Sequence, residues 1–485
     1  MSDSENEYDH EAKEDGIPSS HKSENLIILP DGKLGSLNPD VDIPPQLRNA
    51  ELKLICMDNE RSSHSAVLKN DQVVTFYNGG EMEMGPVPRL LEGQKVKKIY
   101  STDGAFAALT TEGKVVAWGT PEVGGDISRV QGELKDQVVQ RIYSTNAAFA
   151  ALLENGRVVT WGSIWVGGDS SGVQGELKDQ KVKRIYTTER AFAALTTSGR
   201  VVTWGSADDG GFIPDEVQVE LMRYGVQQIY STKSAFAALT TRGRVVTWGK
   251  NIGGGDIRGV QGELNRYRVE KIYSTYGAFA AWTTSGHVVT WGNAAWGGDS
   301  SGVQGEIKKH RVQRIYSTAG AFAALLGNGR VMTWGLAYAG GDIGGVQGEF
   351  EGQKVQQIYS TAFAFAAVLE GGRMVSWGGD IQGLINIPNG RKVMEILGNT
   401  VILDNWDVLE LDDDEYSLKD DPNYIRFIRN RRRLYTRAIK RTLLNAGDSE
   451  KVLEGPKHSS QLAVLGNKDL SGLMSNYLDV WRGGP

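Results

Sequence analysis

Six histidines, one cysteine and a set of evenly spaced aspartates are the residues of this chain that could do chemistry. The histidines are His10, His21, His64, His287, His310 and His458, and none stands at metal-ligand spacing from another or from Cys56. Cys56 lies in Leu-Ile-Cys-Met, a setting that suits a small buried hydrophobe rather than a nucleophile. A single cysteine excludes an intrachain disulfide and fits a reducing compartment, or a secreted protein needing no staples. Asp126, Asp169, Asp256, Asp299 and Asp342 each follow Gly-Gly. Calcium needs roughly 6–8 oxygens converging on one point. One carboxylate in each distant copy supplies no such convergence, so capping of a turn by Asp and Ser side chains is the simpler chemistry. The chain has no P-loop, no dinucleotide fingerprint and no nucleophile elbow. These residues point to a non-enzymatic protein needing neither metal nor cofactor.

The elements that carry the aspartates repeat. Trp118, Trp161, Trp204, Trp248, Trp291, Trp334 and Trp377 each precede glycine, and their spacings are 43, 43, 44, 43, 43 and 43. A period of this size marks an array of supersecondary units or a closed propeller. In one copy, Ile142-Tyr143-Ser144-Thr145 is followed by Ala148-Phe149-Ala150-Ala151-Leu152, a turn at Glu154-Asn155-Gly156, and Arg157-Val158-Val159-Thr160-Trp161. Two apolar runs joined by a glycine turn predict a β-hairpin. The runs are apolar on both faces, so each strand is expected to be buried on both sides, with the alanines letting neighbouring sheets approach. Val173 and Leu177 are expected to anchor an outer segment. Degenerate copies flank the array, at Ser65–Phe76 and Val393–Leu411. Atypical ends are expected where a ring closes or an array is capped. A closed ring is favoured because it leaves no sheet edge exposed.

The frame G-x-V-x-x-W-G, then G-G, V-x-x-x-L, V-x-x-I and a small-residue strand A-F-A-A-L resembles the RCC1 family (regulator of chromosome condensation type), over roughly residues 50–411. The resemblance implies an all-β, seven-bladed RCC1-like β-propeller, or eight blades if the two degenerate ends jointly make one. The expected organisation is an acidic, disordered tail over 1–45, the propeller over 50–411, and a charged linker with a small helical C-terminal extension over 412–485. Members of this family include guanine-nucleotide exchange factors, inhibitors, ubiquitin-ligase modules and photoreceptors, and fold alone does not choose among them. Against an exchange factor, no copy carries a long insertion. Against a photoreceptor, the Gly-Trp-Arg-His-Thr motifs are missing.

Specificity is expected where the copies differ, on loops held by the rigid repeats. One variable strip follows each Trp-Gly and holds Trp165, Trp296 and Tyr338, aromatics of the kind that anchor partners. The fourth copy is irregular over Asp208-Asp209-Gly210-Gly211-Phe212, and Asp208, Asp209 and Phe212 join the candidate set. A second strip precedes Ala-Phe-Ala-Ala, and a third, read as ordinary solvated loops, precedes Val-x-x-Ile. The net charge is −6 and the pI about 5.7, so the surface as a whole is no nucleic-acid footprint. Residues 404–421 carry nine Asp/Glu, and the following basic segment holds Arg429, Arg431, Arg432, Arg433, Arg437, Lys440 and Arg441. That segment could meet nucleic acid, an anionic membrane or the acidic run beside it. Leu470, Leu473, Met474, Tyr477, Leu478 and Trp481 form an apolar stripe at helical spacing. The N-terminus has no signal-peptide pattern and no stretch is long and apolar enough to span a bilayer, so the expected location is cytoplasm or nucleus. The expected function is a protein–protein interaction scaffold, and the expected assembly a monomer. The alternatives are nucleotide exchange on a small GTPase, and nucleic-acid binding through 426–441.

Overall fold

The computed structural model describes residues 91–379 with few gaps, and strand segments on either side between Leu26 and Glu410. The chain divides into two compact units, Met1–Lys419 and Asp420–Pro485, and the described residues belong to the first. The basic segment over 429–441 and the apolar stripe over 470–481 lie outside the described residues.

Each Trp-Gly copy folds as one antiparallel sheet in simple up-and-down order. In the Trp161 repeat the strands are Val139–Ser144, Ala148–Leu153 and Val158–Gly162. The hairpin between the second and third strands pairs Phe149 with Trp161 and Leu152 with Val158. The expected small-residue strand is buried along its whole length here and in the four copies Ala105–Thr110, Ala191–Thr196, Ala235–Thr240 and Ala321–Leu326. In the copies from Trp118 to Trp377, the ladder between first and second strands slips by one residue just after the opening valine of the first strand. Such a bulge adds local twist.

The core lies between sheets. Alternate residues of the second strand face opposite neighbours. Ala105, Ala107 and Leu109 of one sheet pack on Phe149, Ala151 and Trp161 of the next. Ala148, Ala150 and Leu152 then meet Phe192, Ala194 and Trp204, and the same seam continues repeat by repeat to Trp377. Small residues on one face thus receive the aromatic pair of the following sheet. Phe149 stacks on Trp161 with centroids 5.2 Å apart, and Phe279 on Trp291 at 5.3 Å. Each such indole from Trp161 to Trp377 donates Nε1–H to the first glycine carbonyl of the preceding Gly-Gly, as Trp161 does to Gly124 at 3.0 Å and Trp291 to Gly254 at 3.0 Å. Trp118 donates to Thr75 Oγ1 instead. Val173 and Leu177 anchor the outer segment as expected, and that segment is a short helix, Gln174–Lys178, led by a 3-10 turn.

Three expectations change. The degenerate ends do not share a sheet: Leu52–Met57, Ser63–Leu68 and Val73–Tyr77 make one, and Val393–Leu397, Thr400–Leu403 and Val408–Glu410 make another. Each end retains three β-prone runs, enough for a whole sheet. Within the stretch expected to be disordered, Leu26–Ile28 pairs antiparallel with Leu34–Ser36. Leu-Ile-Ile is the one apolar, β-branched run of that acidic tail, which is why the ladder forms there. Cys56 is half-buried rather than fully enclosed, and its thiol points to Ser101 Oγ at 3.7 Å.

Candidate interaction face

Strand direction sorts the three variable strips onto two ends of the repeats. The second strand begins at the second strip, and the third strand returns there before the first strip. The third strip precedes the first strand and lies with the hairpin turns at the other end.

The first and second strips are tied to each other and to their neighbours. Thr102, Thr145, Thr188, Thr232, Thr275 and Thr318 open the second-strip turns. Each donates its hydroxyl to the last residue of the first-strip turn, at 2.8–3.1 Å. A row of backbone bonds then crosses from repeat to repeat. Asp103 N–H donates to Asn146, Asn146 to Glu189, Glu189 to Lys233, Lys233 to Tyr276, Tyr276 to Ala319 and Ala319 to Ala362, all at 2.7–2.9 Å. The backbone of this end is therefore one continuous hydrogen-bonded ledge, and only its side chains vary.

The first strip is a short helical turn after each Trp-Gly from Trp118 to Trp334. Its first two residues are exposed in every repeat from Trp118 to Trp334, and the third is turned inward. That rule separates residues that looked alike in sequence. Trp165 and Tyr338 hold the exposed second position, with 75% and 52% of their surface accessible. Trp296 holds the third position and packs into the seam, 5.6 Å from the ring of Tyr276. The carboxylate of Asp209, also third, accepts from Ser206 Oγ at 2.7 Å and lies 3.9 Å from Arg190 Nε, so it shapes its own turn. Asp208 is exposed at the second position. Phe212, 61% exposed, replaces the aspartate that follows Gly-Gly elsewhere. Beyond it stands a ten-residue helix, Asp215–Tyr224, where other copies carry α-helices of four to nine residues, and this stretch takes up the extra residue of the 44-residue spacing.

Ile164 and Ile252 were not singled out by sequence, because an isolated isoleucine in a loop carries no signal of its own. Both are exposed, at 59% and 61%. Of the eight exposed large apolar side chains among the described residues, Ile164, Trp165, Ile252 and Tyr338 fall on the outward positions of this one strip. Between them runs a polar bridge. Lys233 Nζ lies 2.7 Å from Glu189 and 4.3 Å from the ring centroid of Tyr276.

The Gly-Gly-Asp aspartates cap their own turns. Asp126 Oδ1 accepts the Ser128 N–H at 2.8 Å, Asp169 that of Ser171 at 2.8 Å, and Asp299 that of Ser301 at 2.8 Å. These bonds to the ionised form hold the carboxyls of Asp126, Asp169 and Asp299 below their ordinary value. Asp256 is held low chiefly by Arg258, whose side chain and backbone both bond it. A folded-state value below the unfolded one contributes stability that is full above about pH 4 and is lost as pH falls through the folded value. We expect the triple variant D126A/D169A/D299A to melt below wild type at pH 7 and to converge with it in acid. Melting curves between pH 7 and pH 2 check this, and a gap that stays constant with pH would contradict the capping role.

Among the described residues no helix is long and apolar enough to cross a membrane, and no group of three potential ligands gathers around a metal site. No family model matches the chain, and no curated protein matches it. Several solved structures are similar in part. Prp20p of Saccharomyces cerevisiae, described with its binding to Gsp1p and histones, is 18% identical over 54% of this chain and 76% of its own, with a TM-score of 0.31. The ectodomain of the Physcomitrella patens receptor kinase CR4 is 12% identical over 59% and 74%, with a TM-score of 0.32. The β-propeller domain of Myceliophteria thermophila Cps50 is 13% identical over 59% and 97%, with a TM-score of 0.23. The chain is a mostly β protein of repeated three-stranded sheets whose structural neighbours include RCC1 (Prp20) and other β-propellers.

Proposed function

We propose that this chain is a non-enzymatic interaction protein, a propeller of Trp-Gly repeats closed by its atypical end sheets. Its partner is a protein held on the face made by the first and second variable strips. The observation that carries the reading is the gathering of Ile164, Trp165, Ile252 and Tyr338 on the outward positions of one bonded ledge. Exposed aromatic and aliphatic groups on a rigid frame lose little conformational freedom on binding, which is what makes such residues effective anchors. The polar bridge of Glu189 and Lys233 supplies groups that can fix register without dominating affinity.

The test is comparative capture from lysate by the full chain and by a variant with serine at 164, 165, 252 and 338. A protein retained by wild type and lost with the variant, at unchanged melting temperature, is the expected result. Equal recovery by both chains would remove this face from the account. If the captured protein is a small GTPase preferring its nucleotide-free state, nucleotide exchange becomes the specific activity of the same face.

A further inference from the structure

The hairpin-turn end, opposite the ledge, breaks its own repeating pattern in two successive repeats. In four repeats the arginine after the hairpin glycine is held by a glutamate of the outer segment. The pairs are Arg157–Glu133 at 3.6 Å, Arg200–Glu176 at 2.5 Å, Arg330–Glu306 at 2.8 Å and Arg373–Glu349 at 3.6 Å. In the Trp248 repeat Glu220 stands at the glutamate's position, but the arginine leans on a tyrosine instead. Arg244 lies 4.8 Å from the ring centroid of Tyr224, and Arg242 lies 5.8 Å from it. In the Trp291 repeat the arginine itself is replaced by His287, stacked on Tyr267 at 4.4 Å. An aromatic face holds a cation in place without cancelling its charge, as a carboxylate would.

The cations around these two turns are exposed: Arg242, Arg244, Arg266, Arg268, Lys308 and Arg311. The ion pairs seen here, Lys309–Glu306 and Arg330–Glu306, use none of the six. They also form one patch. Val269 N–H donates to the Gly243 carbonyl at 2.9 Å, and Val312 N–H to that of Gly286 at 3.2 Å, which ties each hairpin turn to the start of the next repeat. A side chain at Gly243 or Gly286 would collide with Cγ of Arg268 or Arg311. The arginine stems therefore lie flat across the glycine turns. Arg311 is further fixed by an Nη2–H bond to the Thr284 carbonyl at 2.7 Å.

We infer that this end of the Trp248, Trp291 and Trp334 repeats binds the phosphodiester backbone of a nucleic acid. Five of the six cations are arginines, whose planar forks match phosphate oxygens bidentately. Six exposed cations outside the ion pairs, two of them braced by Tyr224, outnumber the exposed Glu220 and Glu263 at this end and make a local anion-binding surface in a chain of net charge −6. A membrane surface would also call for apolar groups to insert among the cations. Among the described residues, the exposed large apolar residues at this end are Val219 and Met222 of the helix that carries Tyr224, and the Trp291 and Trp334 repeats expose none there.

The test measures fluorescence anisotropy of a labelled oligonucleotide, single-stranded and duplex, with the full chain across a salt series. All proteins carry R431Q/R432Q/R433Q, so that the C-terminal basic segment does not mask the patch. Adding R242E/R268E/R311E is expected to weaken binding at least tenfold near physiological salt. It should also lower the salt slope by about 3, roughly one per lost phosphate contact. The conservative set R242K/R268K/R311K should retain most of the affinity. An unchanged affinity and slope would overturn the inference. So would capture by phosphatidylserine vesicles with no oligonucleotide binding. The W165A/Y338A change, at the other end, is expected to leave oligonucleotide binding unaltered, which separates this site from the ledge.

Discussion

Replacing Gly254 by valine should lower the melting temperature by about 10 °C, while the same change at Gly259 should leave it within a degree or two. Gly254 has φ +99, in the left-handed region, and a Cβ there would stand 2.6 Å from Cδ2 of Phe279. Phe279 cannot move aside. It is fully buried and stacked on Trp291, whose indole is in turn bonded to the Gly254 carbonyl. The substitution therefore strains the backbone, displaces the aromatic pair and threatens a buried hydrogen bond together, at a cost of about 4 kcal/mol. Gly259 has open space around it and an ordinary φ. Differential scanning calorimetry on the two variants checks the prediction. Equal melting temperatures would mean that the glycine–tryptophan–phenylalanine clasp is not what joins the sheets.

The second large effect separates two tryptophans that sequence had grouped together. Trp165→Ala should leave stability within about 0.5 kcal/mol, because the side chain is 75% exposed. It should weaken partner binding about 30-fold, the loss of one aromatic anchor worth about 2 kcal/mol. Trp296→Ala should do the reverse. Its ring packs into the seam beside Tyr276, so truncation is expected to cost about 2 kcal/mol of stability. Its effect on binding should follow only from that loss. Paired melting and affinity measurements on the two variants would show opposite signatures. Similar signatures would mean that position within the turn does not sort anchors from filler.

The periodicity of Trp-Gly made the sheets legible, and the charge-free strands announced burial on both faces. Capping by the Gly-Gly-Asp aspartates was readable too, since Asp and Ser side chains bond the backbone two residues away. The site was legible only in part. Sequence located the variable strips but not which residues of each turn point outward, because a one-turn helix has no period to reveal its faces. Trp165, Tyr338 and Trp296 therefore looked equivalent, and Ile164 and Ile252 went unnoticed. Asp209 looked like a surface carboxylate until its bond to Ser206 placed it inside the turn. The basic patch was hidden for another reason. Its cations are spread over about 70 residues of sequence, from Arg242 to Arg311, and meet only when three repeats are laid side by side.

Site-specific photocrosslinking tests the central claim most directly. A photoreactive phenylalanine analogue placed at 165 or 338 reports on the ledge, and one at 155 or 328 on the hairpin-turn end. The account predicts that one and the same protein crosslinks from 165 and 338 and not from 155 or 328. A protein captured from 155 and 328 alone, with positions 165 and 338 silent, would contradict it and move the binding face to the other end of the repeats.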